Sequence, residues 1–257
     1  MAPSHADPEG PEHVSEHREL RYEGKAKRVW RTDQPHRCII EFTDAATAFN
    51  GERRGTITDK GAINCATTAL LFPLLEQAGI PTHLVEQLSP TELLARDVEI
   101  VPLEVVVRNI AAGSFTRRLG VAQGTPLKHP IVEFSYKRDD LGDPLLTKAD
   151  IDVLDLASPQ LVADIEARAL RINELLRAHF DERGITLVDF KLEFGHALDT
   201  GELLLADEIS PDTCRFWDTA TGEKLDKDLF RHDEGDAAAA YAQLLQRLGG
   251  NMEAVTA

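Results

Sequence analysis

Apolar residues recur along this chain in two rhythms. Between positions 159 and 182, Leu161, Ile165, Ala169, Ile172, Leu176 and Phe180 fall at steps of three and four. That spacing gathers side chains on one face of a helix. Ser158 stands where a cap is needed, Pro159 suits the first turn, and Gly184 ends the run. The pattern predicts a long amphipathic helix over 159–182. A second helix is predicted over 63–78 (INCATTALLFPLLEQA), closed by Gly79, with Pro73 expected to kink or break it. A last helix covers about 236–248.

Elsewhere the rhythm is that of strands. β-branched and aromatic content marks 22–30, 38–42, 83–87 and 98–101. The run LEVVVRNI, from Leu103 to Ile110, reads as a buried strand with charge at its end. Segments 186–194 and 202–207 form the next pair, and Asp199-Thr200-Gly201 between them is a hairpin signal. Strands dominate the first hundred residues and mixed elements follow, without an internal repeat. The chain is therefore expected to be an α+β protein of two lobes with a cleft between them. Residues 1–17 hold almost no large apolar residue and are expected to be a disordered tail. The expected lobes are 18–101 and 102–257.

Composition narrows the function. With 42% hydrophobic and 28% charged residues, the 257-residue chain is ordinary for a globular protein. A formal charge of -16 disfavours nucleic acid as a partner. It leaves anionic small substrates open, because a few local cations outvote the global field. Cys38, Cys65 and Cys214 have no metal-ligand spacing and suit free thiols in a reducing cytosol, so a cytoplasmic location is expected. No apolar run approaches the roughly 18 residues of a membrane helix.

Three stretches carry candidate chemistry. Gly24-Lys25-Ala26-Lys27 lies at a turn, where a glycine lets backbone approach a phosphate; a solvated basic turn is the plainer reading. Arg108 to Ser114 leaves a buried strand through small residues toward a short helix. That suits an anion site, or equally a plain connection. In Asp189-Phe190-Lys191-Leu192-Glu193, alternation puts Asp189, Lys191 and Glu193 on one strand face. The hairpin turn brings Glu193 toward Asp207. Two carboxylates beside a lysine suit Mg²⁺ on a nucleotide phosphate, against the alternative of a solvent-facing Lys–Glu pair. Residues 210–218 (SPDTCRFWD) read as a loop carrying an arginine, a carboxylate and two aromatics.

Taken in order, YEGKAKRVW, FTDAATAFNGERRG, VPLEVVVRNIAAGSFTRRLG, YKRDDLGDPLLT, LVDFKLEFG and LADEISPDTCRFWD resemble phosphoribosylaminoimidazole-succinocarboxamide synthase of purine biosynthesis. The likeness runs from about residue 20 to 248, and the segments together are specific where none is alone. Ile110 stands where many relatives carry Arg, Asn50 where some carry Asp, and Phe216 in place of a frequent Leu.

The resemblance implies an ATP-dependent ligase joining L-aspartate to a carboxylated aminoimidazole ribonucleotide through an acyl phosphate. It implies an antiparallel-sheet lobe and a larger α+β lobe with ATP between them. Lys25 and Lys27 would reach the ATP phosphates, Val29 would pack on adenine, and backbone near Ile100 would meet its edge. Glu193 and Asp207 would hold Mg²⁺. Lys191, Lys137 and Asp189 would form the catalytic set, with Lys137 and Glu193 also facing ATP. Arg108, Ser114 and Arg215 would bind the ribonucleotide, chiefly its 5′-phosphate, assisted by Asp212. Asp143 and Arg118 would complete the pocket. The partners are then these small molecules and a second copy of the chain, a homodimer being favoured.

Overall fold

The computed structural model describes residues 19–48, 53–252 and 255. The tail expected over 1–17 and Asn50 lie outside the described residues.

The first sheet is antiparallel, in the order β1-β2-β3-β7-β6. Its strands are β1 (Leu20–Glu23), β2 (Lys27–Arg31), β3 (Arg37–Phe42), β6 (Leu84–Ser89) and β7 (Glu92–Arg96). The single strand expected over 22–30 is a hairpin instead. Gly24-Lys25-Ala26 interrupts the alternation, and the Gly24 amide closes the turn on the Lys27 carbonyl at 2.8 Å. A separate hairpin, β4 (Ala45–Ala48) and β5 (Arg53–Thr56), follows.

Helix α1 (Lys60–Gln77) continues through Pro73, so of the kink or break expected there the break does not occur. Proline deprives the Ala69 carbonyl of its intrahelical donor. Leu71, Phe72 and Leu75 around it are wholly buried, and that packing holds the helix together.

The second sheet runs β11-β10-β9-β12-β13, with β8 and β14 also paired to β12. Its strands are β8 (Val98–Ile100), β9 (Leu103–Ile110), β10 (Pro126–Tyr136), β11 (Leu145–Leu146), β12 (Ile185–Ala197), β13 (Leu203–Ala206) and β14 (Cys214–Asp218). The loop expected over 210–218 is thus a turn followed by a strand. Cys214, Phe216 and Asp218 alternate inward, and this strand supplies Arg215.

Helices α2 (Ser114–Leu119), α3 (Lys148–Val153), α4 (Pro159–Asp181), α5 (Asp228–His232) and α6 (Ala237–Arg247) complete the chain. Helix α4 is the predicted amphipathic one. The Ser158 hydroxyl accepts from the Leu161 amide, and Ile165, Ala169, Ile172, Leu176 and Phe180 are fully buried against the sheet. Fully burying such an aliphatic side chain contributes about 1.5–3 kcal/mol, so this face fixes the back of the sheet and leaves its other side for the cleft. Helix α1 serves two cores. Leu71, Phe72 and Leu75 join the main one, while Ala62 and Ile63 meet Tyr241 and Leu245 of α6.

Strand β12 changes partners along its length. On one edge Ile185 to Phe190 pair with β14 and Glu193 to His196 with β13; on the other Asp189 to Leu192 pair with β9 and Gly195 to Ala197 with β8. Lys191 and Glu193 lie where the partners change.

Candidate active site

A cleft of about 670 Å³ opens between the two sheets, within the range of small-ligand sites. One end is apolar, with Val29, Cys38 and Ile40 as its floor and Val98 and Ile100 on its wall. The Val101 amide bonds the Phe194 carbonyl, and the Leu198 amide bonds the Asp97 carbonyl. In an antiparallel ladder this register turns the backbone groups of Val98 and Ile100 away from β12. Gly195 permits the close approach, since a Cβ there would stand 2.9 Å from the Glu99 carbonyl oxygen.

The centre of the cleft is a network of charge. The Lys191 ammonium lies 2.5 Å from Glu193 Oε1 and 3.0 Å from Asp207 Oδ2. Lys137 reaches the same Glu193 oxygen at 2.8 Å. Lys27 bonds Asp207 and lies 2.9 Å from Glu208. Burial alone would raise the Asp207 pKa, but Lys191 and Lys27 outweigh it and hold the carboxyl well below the usual range. Burial likewise pulls the Lys191 and Lys27 ammonium groups down, and the facing carboxylates carry both above normal.

Asp207 is left-handed at φ 60°, a conformation uncommon without glycine. The His83 ring meets its carbonyl oxygen at 3.2 Å through Nε2, and the His83 amide bonds the Leu205 carbonyl at 2.9 Å. Burial pushes this imidazole down to about 4. It is therefore neutral near pH 7, with Nε2–H as the donor.

Beside the cleft lies an arginine pair. Arg108 bonds Asp189 at 2.8 Å, Glu133 at 2.7 Å and Ser114 at 3.1 Å. Arg215 bonds Asp189 at 2.9 Å and Asp228 at 2.8 Å. Gly113, at φ 58°, and the α2 backbone run past both. Two guanidinium groups, a hydroxyl and a bare backbone suit a phosphate. Asp189 is buried under these arginines and does not line the cleft.

Asp212 stands at the far end of the cleft and is held from three elements. It accepts from Lys60 at 2.9 Å, Lys227 at 3.0 Å and the Tyr241 hydroxyl at 2.8 Å. Arg118 is more exposed and pairs with Glu133. Asp143 accepts from the Arg138 amide at 3.0 Å, organising its own loop. Lys25 crosses the cleft mouth to Asp139 at 2.7 Å. Phe216 is wholly buried against Phe180, with ring centroids 4.7 Å apart, and Ile110 ends β9 opposite Pro126.

Lys60, His83, Glu104, Glu208, Lys227, Arg231 and Tyr241 are the site residues that the sequence reading missed. Glu104 lines the cleft 3.6 Å from Lys191, and burial raises its pKa. Tyr241 sits within a helical apolar pattern, and Lys60 stands in a short polar stretch before the helix predicted over 63–78, where nothing local marks it. DKD at 226–228 beside Arg231 was a legible charged cluster.

Residues 20–248 match the SAICAR synthetase family. The chain is 56% identical over 237 residues to phosphoribosylaminoimidazole-succinocarboxamide synthase of Brevibacillus brevis, covering 92% of this chain and 99% of that one. The crystal structure of the Ehrlichia chaffeensis synthase superposes with a TM-score of 0.89 at 42% identity, over 91% of this chain and 99% of the other. A SAICAR synthetase in complex with ADP gives 0.87 at 45% identity, over 91% and 98%. By sequence and by fold, the chain belongs to the SAICAR synthetase family.

Proposed function

We propose that the cleft joins L-aspartate to 5-amino-1-(5-phosphoribosyl)imidazole-4-carboxylate, consuming ATP and releasing ADP and phosphate. The observation that carries this reading is the single ammonium of Lys191 shared by Glu193 and Asp207 where β12 changes partners. A carboxylate is a poor electrophile. One of its oxygens attacks the γ-phosphorus and ADP leaves. The aspartate amine, having lost a proton, then attacks the acyl carbon, and phosphate departs with that oxygen. Positioning and charge screening do most of the work in such chemistry.

The apolar end takes adenine, with Val29 against the ring and the outward backbone of Val98 and Ile100 at its edge. A related SAICAR synthetase is in complex with ADP, which supports an adenine nucleotide as a ligand. Lys25 and Lys27 face the phosphates, and Lys137 and Lys191 the transferring group. Arg108, Ser114 and Arg215 hold the 5′-phosphate of the ribonucleotide, and Asp212 its ribose. Asp189 positions the arginines from behind. Arg118 and Asp143 shape the rim.

Among the described residues no three metal-binding side chains gather. The two hard carboxylates of Glu193 and Asp207 nevertheless fit Mg²⁺, which takes one or two protein carboxylates and completes its shell with phosphate oxygen and water. Lysine ammonium groups now sit against both carboxylates, which marks the place as one for cations. Bound there, Mg²⁺ would neutralise charge on the phosphates. The lobe limits proposed are 18–101 and 102–257, with β8 as the hinge between them. A cytoplasmic homodimer is expected on the family resemblance. Among the described residues no helix is long and apolar enough to cross a membrane.

Coupled measurement of ADP release with and without L-aspartate tests the proposal. Sustained release must require both the ribonucleotide and aspartate. Release that ignores aspartate would make the protein a small-molecule kinase.

A further inference from the structure

Asp226 lies outside the motifs that carry the family resemblance, and no step above uses it. Its side chain is wholly buried. Oδ2 accepts from the Phe216 amide at 2.8 Å, and Oδ1 accepts from the Asp228 amide at 2.7 Å. Among the described residues no lysine or arginine side chain hydrogen-bonds to it. Burying a carboxylate without such a partner is costly, and an apolar residue would fill the space at lower cost. The carboxylate therefore needs a reason beyond packing.

The neighbours of its two bonds supply one. Arg215 precedes Phe216 and carries its guanidinium over Gly113 toward the Arg108–Ser114 pocket. Lys227 follows Asp226 and donates to Asp212 at 3.0 Å. Asp228 accepts from Arg215 Nε at 2.8 Å and from Arg231 at 2.6 Å. One carboxylate thus ties β14 to the turn that opens α5. A second link, from the Leu225 amide to the Phe216 carbonyl at 2.8 Å, runs alongside.

We infer that Asp226 is a positioning residue for the ribonucleotide end of the cleft: its two amide bonds set where Arg215 and Lys227 stand relative to each other. The inference rests on the reading of Arg215 as a phosphate clamp. It gives Asp226 no contact with substrate and no part in the nucleotide half.

The test compares the unaltered enzyme with D226N, D226S and R215A. In D226N one oxygen becomes an amide group that confronts a buried N–H. In D226S one short acceptor remains for two donors. Either change should raise KM for the ribonucleotide about tenfold or more, the order expected when a binding group is displaced by a fraction of an ångström. KM for ATP should stay within about twofold, a few tenths of a kcal/mol. The ¹⁵N resonance of Arg215 Nε, held by Asp228, should shift or broaden. Unchanged ribonucleotide KM with an unmoved Arg215 signal in both variants would overturn the inference. So would both KM values rising together, or failure of both variants to fold, since Asp226 would then be merely structural. If R215A leaves the ribonucleotide KM unchanged, the clamp reading fails instead. The Arg215 resonance alone then decides the matter for Asp226: displacement in D226N supports the inference and an unmoved signal overturns it.

Discussion

The guanidinium of Arg215 lies flat across Gly113: a Cβ added to Gly113 would stand 2.5 Å from Nη2 and 2.8 Å from Cζ. Gly113 also holds φ at 58°, where a side chain is strained. The bare backbone is therefore what lets Arg215 reach the side of Arg108. Gly113→Ala should displace the guanidinium. A charge-assisted hydrogen bond contributes roughly 1.5–3 kcal/mol, so ribonucleotide binding should weaken about 10- to 150-fold. ATP binding should be nearly unchanged. Calorimetric titration with each ligand checks this, and equal losses for both would count against the assignment of this pocket.

Glu193 and Asp207 share the Lys191 ammonium, and the account gives both to one cation. Glu193→Gln should lower turnover by at least two decades, about 2.7 kcal/mol, and weaken the Mg²⁺ requirement curve. Asp207→Asn should behave alike, and the double variant should be little worse than either, because both act through one ion. Melting temperatures should move by only a few degrees. Near-normal turnover at saturating metal, with early melting, would make the pair structural.

Much of this arrangement was legible in local sequence because it is built locally. The Ser158 cap, Pro159 and the stepped apolar face specify α4. The Asp199–Gly201 turn brings β12 and β13 together, and with them Glu193 and Asp207. What escaped depends on distance. Asp212 is held by Lys60 and Tyr241, which are 152 and 29 residues away in the chain. Tyr241 looks like an ordinary member of its helix, and Lys60 like a polar residue leading into one. Strand β14 was hidden by the turn residues Ser210-Pro211-Asp212, which outweighed the alternation of Cys214, Phe216 and Asp218 that follows. Pro73 signalled a break that burial of its neighbours overrode. Asp189 shares a strand face with Lys191 and Glu193, but it stands between Arg108 of β9 and Arg215 of β14, whereas β14 pairs no further than Phe190, so Asp189 meets the arginines and the other two face the cleft.

Two buried groups give stability opposite dependences on pH. Burial lowers His83 from 6.5 to about 4, so between those values only the unfolded chain takes the proton, and stability falls as pH falls. Burial and then Asp228 raise Asp226 from 3.8 to about 7, so in that window the folded chain takes the proton, and stability rises as pH falls. The two effects oppose each other across roughly pH 7 to 4. Removing one should expose the other. From pH 7 to 4 the stability of His83→Phe should improve relative to the parent by up to about 3 kcal/mol, and that of Asp226→Asn should worsen by a similar amount. Denaturant midpoints at stepped pH check both signs. Identical pH profiles in all three proteins would contradict the assignment.

Lys25 and Asp139 close over the cleft mouth as a half-exposed pair at 2.7 Å. Exposed pairs contribute about 0–1 kcal/mol, so Asp139→Asn should leave the melting temperature almost unchanged. Lys25→Ala should raise KM for ATP several-fold, since the account turns that ammonium toward phosphate. Parallel ATP titrations of the two variants separate the roles. An unaffected ATP KM in Lys25→Ala would leave Lys25 as a surface residue.

The proposed reaction requires ATP to activate the imidazole carboxylate before aspartate attacks it. Oxygen-18 placed in that carboxylate reports on the step directly. When the enzyme turns over ATP, L-aspartate and labelled ribonucleotide, the released phosphate should carry one labelled oxygen, detected by mass spectrometry. Phosphate carrying no label would contradict it.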